Sequence, residues 1–284
     1  MAFRIPQVRA RLRPEDIALY ALSIGFGADP LDREQLPFVD PLQGPVVVPS
    51  MVLVMAHPGF WMSDPASGVD PKAVLHADQA FELLGTLPQS GDVESRSYVT
   101  EVIDKGKGKA ALIKVETELR GEDGRLFAKL NRTMYIRNGG GFGGNPGEKS
   151  KRPEAPNTPP DHVVELKTQP FQALLYRLNG DLNPLHSDPQ MAEKAGFDRP
   201  ILHGLCTFGV VCHAVLKSLA QYTPEHLRAI RMSFSQPVFP GETICTEIWN
   251  DGRFRARVIE RDVTVIGDGH AEISDVPTAR PGKG

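Results

Sequence analysis

Asp181 and His186 lie five residues apart in the run Gly180-Asp181-Leu182-Asn183-Pro184-Leu185-His186, with Asn183 between them. Asn183-Pro184 favours a turn. Pro184 fixes one φ angle and biases Asn183 toward extended backbone, so the segment is not helix interior. Gly180 lets the backbone pass close to another group. A stiff loop holds its polar side chains in place before a substrate arrives, and acid–base chemistry profits from that. Part of the run has a plainer use. Ser187 or Asp188 caps a short helix over 189–194. That reading accounts for Ser187-Asp188-Pro189 but not for Asp181 or His186.

The next element adds a donor. Pro200-Ile201-Leu202-His203-Gly204-Leu205 enters a stretch in which Leu205, Phe208, Gly209, Cys212, Leu216 and Leu219 recur at helical spacing. The amide of Gly204 therefore lies at or near a helix N-terminus, where N–H groups are unpaired and the dipole is positive. Such an amide can hold a developing oxyanion. A base, an orienting partner and an oxyanion donor suit proton abstraction or water addition next to a thioester carbonyl. His203 reads as a helix-entry or packing residue, and His213 as packing or surface. His186, Cys206 and Cys212 lack zinc-site spacing.

The elements that must position these groups fall into two halves. From Asn138 to Asp161 the chain is rich in Gly and Pro and reads as a linker. It separates residues 1–137 from residues 162–284. The halves share landmarks. Tyr20-Ala21-Leu22-Ser23 and Tyr176-Arg177-Leu178-Asn179 lie 156 residues apart. Pro45–Pro49 and Pro200–Gly204 lie 155 apart, and Gly91-Asp92-Val93-Glu94 and Gly241-Glu242-Thr243-Ile244 lie 150 apart. A near-constant offset points to an internal duplication. Strands are predicted over 96–104, 109–120, 126–138, 229–237, 243–250, 253–262 and 271–275, with Gly-rich turns between them. A long apolar helix followed by antiparallel strands is an α+β unit in which a sheet wraps a helix.

The run Tyr-Arg-Leu-Asn-Gly-Asp-Leu-Asn-Pro-Leu-His over 176–186, then Ala-Gly-Phe-Asp-Arg-Pro-Ile-Leu-His-Gly-Leu-Cys-Thr over 195–207, resembles the MaoC-like (R)-specific enoyl-CoA hydratases. The likeness is greatest to the enoyl-CoA hydratase 2 subgroup and covers nearly the whole chain. It includes 75–79, 102–106, 140–144 and 236–241. The resemblance implies a double hot-dog fold whose N-terminal helix is shortened or lost. It implies reversible addition of water to a trans-2-enoyl-CoA, giving a (3R)-3-hydroxyacyl-CoA. Asp181 and His186 match the catalytic pair, Asn183 the residue that helps hold the water, and Gly204 the thioester-binding amide. Tyr176, His76, Phe142 and Gly143 are candidate substrate contacts. Near His76 the sequence departs from the family's His-Gly-Glu-Gln, since Ala77 and Asp78 stand where Gly and Glu would. The first half has no Asp–His pair, so one active site per chain is expected. A dehydratase on acyl-carrier-protein, branched or dicarboxylic substrates is the alternative within the fold. A non-catalytic acyl-CoA-binding module is the alternative outside it.

The whole chain sets further limits. Its formal net charge of −3 and pI near 6.3 give no basis for binding nucleic acid or an anionic membrane surface. No apolar run reaches the ~18 residues of a membrane span. The three cysteines form no C-x-x-C pair and read as reduced thiols. The N-terminus lacks a secretory pattern and the C-terminus does not match a peroxisomal address, so a cytoplasmic location is expected. Family likeness implies a homodimer with acyl-CoA as the ligand and no metal or redox cofactor. Lys149, Lys151 and Arg152 are a charge cluster, solvated or facing CoA phosphates.

Overall fold

The computed structural model describes residues 3–148 and 155–274. The first repeat runs β1 (Val8–Leu12), α1 (Pro14–Ser23), α2 (Leu36–Val39), β2 (Val74–Leu83), β3 (Gly91–Asp104), β4 (Ala111–Arg120) and β5 (Leu126–Ile136). The second runs β6 (His162–Lys167), α3 (Gln172–Tyr176), α4 (Pro189–Lys194), α5 (Gly204–Leu219), β7 (Leu227–Ser233), β8 (Thr243–Ile248), β9 (Arg253–Val258) and β10 (Val263–Ile273). All ten strands form one antiparallel sheet in the order β1-β3-β4-β5-β2-β7-β10-β9-β8-β6. Read from either edge, the strands of each repeat follow the same sequence, first, third, fourth, fifth, second. The repeats join where β2 pairs with β7, with Phe81 opposite Ile230.

This order makes the duplication physical, because equivalent residues meet near the axis relating the halves. Tyr20 and Tyr176 are both fully buried with ring centroids 6.2 Å apart. Asn179 donates from Nδ2 to Ser23 Oγ at 2.9 Å, a bond between two positions that the offset equates. Gly91 opens β3 and Gly241 lies in the turn just before β8, both with left-handed φ, 95° and 93°. Any side chain other than glycine is strained there, which explains why this landmark is glycine in both copies.

Helix α5 is the hot-dog's filling. Residues Cys206 to Leu216 are all buried. Every side of the helix is apolar because a sheet curls around it while the first repeat closes the remaining face. The corresponding place in the first repeat holds a single 3-10 turn, Pro49–Leu53, which packs on α5. Pro49 fixes the entry, but no helical pattern follows it, and Pro58 and Pro65 keep the chain irregular as far as β2. The shortened N-terminal helix expected from the resemblance is therefore this one turn. Gly209 lets α5 approach α1, since a Cβ there would lie 2.5 Å from Ile24 Cγ2.

Three strands escaped sequence reading. β1 and β6 are short edge strands, and β2 carries a bulge between His76 and Asp78 that interrupts its alternation. The glycine-rich stretch is also more ordered than a linker. The Asp104 carboxylate accepts N–H bonds from Gly106 at 2.8 Å, Gly141 at 2.6 Å, Gly143 at 2.7 Å and Gly144 at 3.2 Å. Left-handed φ values at Gly141 and Gly143 turn those amides onto it. Lys149, Lys151 and Arg152 lie outside the described residues.

Two outcomes follow. Gly209→Val forces α5 off Ile24 and should cost about 1–3 kcal/mol, measured by denaturant unfolding. The donors to Asp104, the Gly141 amide foremost, hold its carboxyl at about 2, below the ordinary 3.8. A lowered folded value means the tie is complete above about pH 4 and is lost as the pH falls through about 2. Hydrogen-exchange protection of Gly141 and Gly143 should fall over that window, and Asp104→Ala should abolish it at neutral pH.

Candidate active site

The segment from Tyr176 to Ser187 is built from local rules. Gly180 takes φ 110° and ends the helical turn Arg177–Asn179. The chain then turns twice on its own carboxamide and carboxylate. Asp181 Oδ1 accepts from Asn183 N at 3.2 Å, and Asn183 Oδ1 accepts from Leu185 N at 3.1 Å, capping the 3-10 turn Pro184–His186. Asp188 caps α4 through the amides of Gln190 and Met191. Both readings of the run are therefore realised, one after the other.

His186 is buried by this turn, while Asp181 and Asn183 stay exposed. His186 Nδ1 lies 2.9 Å from the Ile201 carbonyl oxygen. A carbonyl only accepts, so Nδ1 carries the proton and Nε2 keeps its lone pair. Burial pushes His186 below its ordinary 6.5, against the pull of Ile201 and Asp181. His203, the residue before α5, stacks on it with centroids 3.7 Å apart. The His203 Nε2–H donates to the Asp181 carbonyl at 3.2 Å. Burial, and next the neighbouring His186, hold His203 at about 4. Two neutral imidazoles of opposite tautomer thus lie face to face.

Asp181, His186 and His203 each bring a polar side-chain atom within 4.8 Å of the other two. Gly204 opens α5 immediately beyond His203, and its amide, first in the helix, has no intrahelical acceptor. Phe234 roofs it, 3.7 Å from where a Cβ on Gly204 would stand. His76 packs on Phe234 with centroids 4.9 Å apart and lies 3.1 Å from the Asp78 carbonyl, which sets its ring. Burial, and next Arg132, lower His76 to about 3. The β2 bulge places this half-buried ring, because Ala77 in the bulge accepts from the Phe234 amide at 2.9 Å.

Asp181, Asn183, His186 and Gly204 therefore share one place, with His76 across Phe234. Tyr176 sits beneath it, wholly buried against His203 at 5.0 Å, with an unpartnered hydroxyl. Phe142 and Gly143 belong instead to the Asp104 tie. Phe142 is exposed beside a groove lined by Lys72, Val102 and Arg137. Sequence reasoning did not find the Ile201 carbonyl, Arg132 or His57. A backbone acceptor has no residue signature, and Arg132 on β5 and His57 in the irregular chain before β2 come together, beside His76, only in the folded chain.

The fold and site define a double hot-dog protein with one acid–base loop set against one helix N-terminus. Residues 151–271 match the MaoC like domain, and residues 11–138 match the MFE-2 hydratase 2 N-terminal domain. The chain is 36% identical to the peroxisomal enoyl-CoA hydratase 2 of Arabidopsis thaliana, covering 96% of this chain and 94% of that one. It is 39% identical to the enoyl-CoA hydratase ChsH3 of Mycobacterium tuberculosis, over 88% and 87% of the two chains. The crystal structure of a MaoC-like dehydratase from Phytophthora capsici superposes with a TM-score of 0.83 at 32% identity, covering 95% and 96%. The chain belongs to the MaoC-like hydratase 2 family. Among its described residues no helix is long and apolar enough to cross a membrane.

Protonation of His186 would remove the Nε2 acceptor. Because burial lowers its titration, turnover should stay level through neutral pH and fall only below 6.5. A profile of kcat/KM between pH 4 and 9 checks this; an acid limb centred above 6.5 would contradict the buried, neutral imidazole.

Proposed function

We propose that the chain adds water reversibly to a trans-2-enoyl-CoA, giving a (3R)-3-hydroxyacyl-CoA. The observation that carries this is the lone pair on His186 Nε2, set beside the Asp181 carboxylate at the mouth of α5. Names of relatives support it, since two of them are enoyl-CoA hydratases.

The thioester oxygen accepts from Gly204 N–H, which draws electron density from C3. One water donates to His186 Nε2 and to the Asp181 carboxylate. Asn183 spends its carbonyl on the turn, so its amide nitrogen is left to steady the water. Asp181 takes a proton as oxygen bonds to C3, and the displaced π pair becomes an enolate held by Gly204. A proton returned to C2 from the same face completes the addition. Atoms and charge balance with water alone, and the step needs no metal or redox cofactor.

The division of labour follows the repeats. Residues 162–284 supply the chemistry and residues 1–137, on the side of the one-turn helix, receive the acyl chain. Tyr176 supports His203 from below, and His76 lines the roof. Phe142 and Gly143 face the CoA side. We also read the chain as a cytoplasmic homodimer. Three buried free cysteines suit a reducing compartment, and exposed Phe171, Leu174, Leu178 and Leu182 offer an apolar surface.

Asp181→Ala and His186→Ala should each lower kcat by ~10²–10⁴-fold with unchanged circular dichroism, followed as loss of enoyl absorbance. Gly204→Pro is a sharper test. Proline suits the first helical position, and His203 already has extended backbone (ψ 138°), so the fold should survive without the donor. A loss of about 10²–10³-fold is expected, with Gly204→Ala as the control for bulk. Equal rates in the Pro and Ala variants would refute the oxyanion role. A series of enoyl-CoAs from C4 to C16 reports the acyl pocket, and activity confined to C4 would sink that part of the reading.

A further inference from the structure

His203 breaks two local rules at once. It occupies the position before α5 where Ser, Thr, Asp or Asn would accept from the first amides, and its side chain caps none of them. It is 1% exposed, yet its ring carries a polar atom without a partner. The Asp181 carbonyl only accepts, so Nε2 bears the proton and the orphan Nδ1 is a buried lone pair. A buried acceptor left unpaired costs stability, and phenylalanine would fill the same place without that cost. Proteins keep such breaches of local rule mainly where function uses them.

The loop shows what the ring does. Residues 180–183 are exposed. Among the described residues, nearly all their hydrogen bonds come from the same segment. Gly180 donates to the Arg177 carbonyl, Arg177 donates to that of Leu182, and Asp181 and Asn183 accept from amides further along the loop. Among the described residues, the His203 Nε2–H bond to the Asp181 carbonyl, at 3.2 Å, is the one tether that reaches them from another element. It starts one residue before the Gly204 amide. The ring that donates it is held in place, stacked on His186 at 3.7 Å and packed on Tyr176 at 5.0 Å.

We infer that His203 is a positioning residue for the reaction: its N–H fixes the Asp181 backbone, and with it the carboxylate, relative to the amide of Gly204. Base and oxyanion donor are then aligned by two neighbouring residues at one helix entry. The inference rests on Asp181 as the base and Gly204 as the donor. A small misplacement of a base is costly in rate while substrate binding changes little.

His203→Phe keeps a flat ring against His186 and Tyr176 and removes both nitrogens. It should lower kcat on trans-2-hexenoyl-CoA about tenfold, with KM changed less than about twofold. Its denaturant midpoint should equal or exceed that of the wild type, because the orphan Nδ1 is gone. His203→Gln, whose amide can donate near where Nε2 stood, should recover most of the lost kcat. In an Asp181→Asn background, His203→Phe should alter the residual kcat less than about twofold. An unchanged kcat in His203→Phe would overturn the inference, as would a His203→Gln variant equally slow. Equal losses in both Asp181 backgrounds, or a midpoint that falls in step with kcat, would show a packing residue and overturn it too. If His203→Phe does not fold, His203→Met against His203→Gln, a pair close in shape, isolates the same N–H. A wild-type protein that left the enoyl absorbance unchanged would overturn the function proposed above and this inference with it, whereas a working wild type matched by its variants would overturn the inference alone.

Discussion

A helix that begins inside a protein leaves its first N–H groups without partners, and α5 begins at Gly204 under Phe234. No side chain caps that end. His203, in the capping position, turns its ring outward onto His186 and gives its N–H to the backbone of Asp181. One hydrogen bond thus ties the acid–base loop to the mouth of the helix, and the amide stays open to a ligand oxygen. His186 and His203 are buried at this mouth, and their burial holds both imidazoles neutral.

The two repeats share an architecture but not a burden. Their strand orders match, and equivalent residues such as Ser23 and Asn179 touch. In one repeat a sixteen-residue helix fills the sheet; in the other, five residues of 3-10 helix do. Irregular chain and a second, smaller apolar cluster occupy the remainder. Losing a helix costs buried area, and that cost is offset by packing the substitute turn against α5 itself.

Much of this was legible beforehand for reasons that can be named. Asn183-Pro184 and Gly180 dictate a turn wherever they occur, and the α5 pattern is apolar at every helical step, so loop and helix could be read directly. The duplication was visible because glycines with left-handed φ, such as Gly91 and Gly241, cannot drift to other residues cheaply. Edge strands β1 and β6 were not legible, since a strand of five or six residues with one covered face carries little pattern. The Asp104 tie was hidden because three of its four donors, Gly141, Gly143 and Gly144, are backbone amides more than thirty residues away. Arg132 looked like one more charged residue on a strand; only its register opposite Gln79 and Val115 puts it on the inner face, beside His57.

Joining the repeats through β2 and β7 makes one continuous sheet from two copies. In a pair of identical subunits any change to a binding wall is made twice, once on each side, and the catalytic half must tolerate it. Under the function proposed above, the acyl side around Pro49–Leu53 is encoded separately from the loop at Asp181. Substitutions can therefore accumulate on one side of the substrate while the other is held fixed. The fused arrangement turns a symmetric scaffold into one whose selectivity and reactivity can evolve independently.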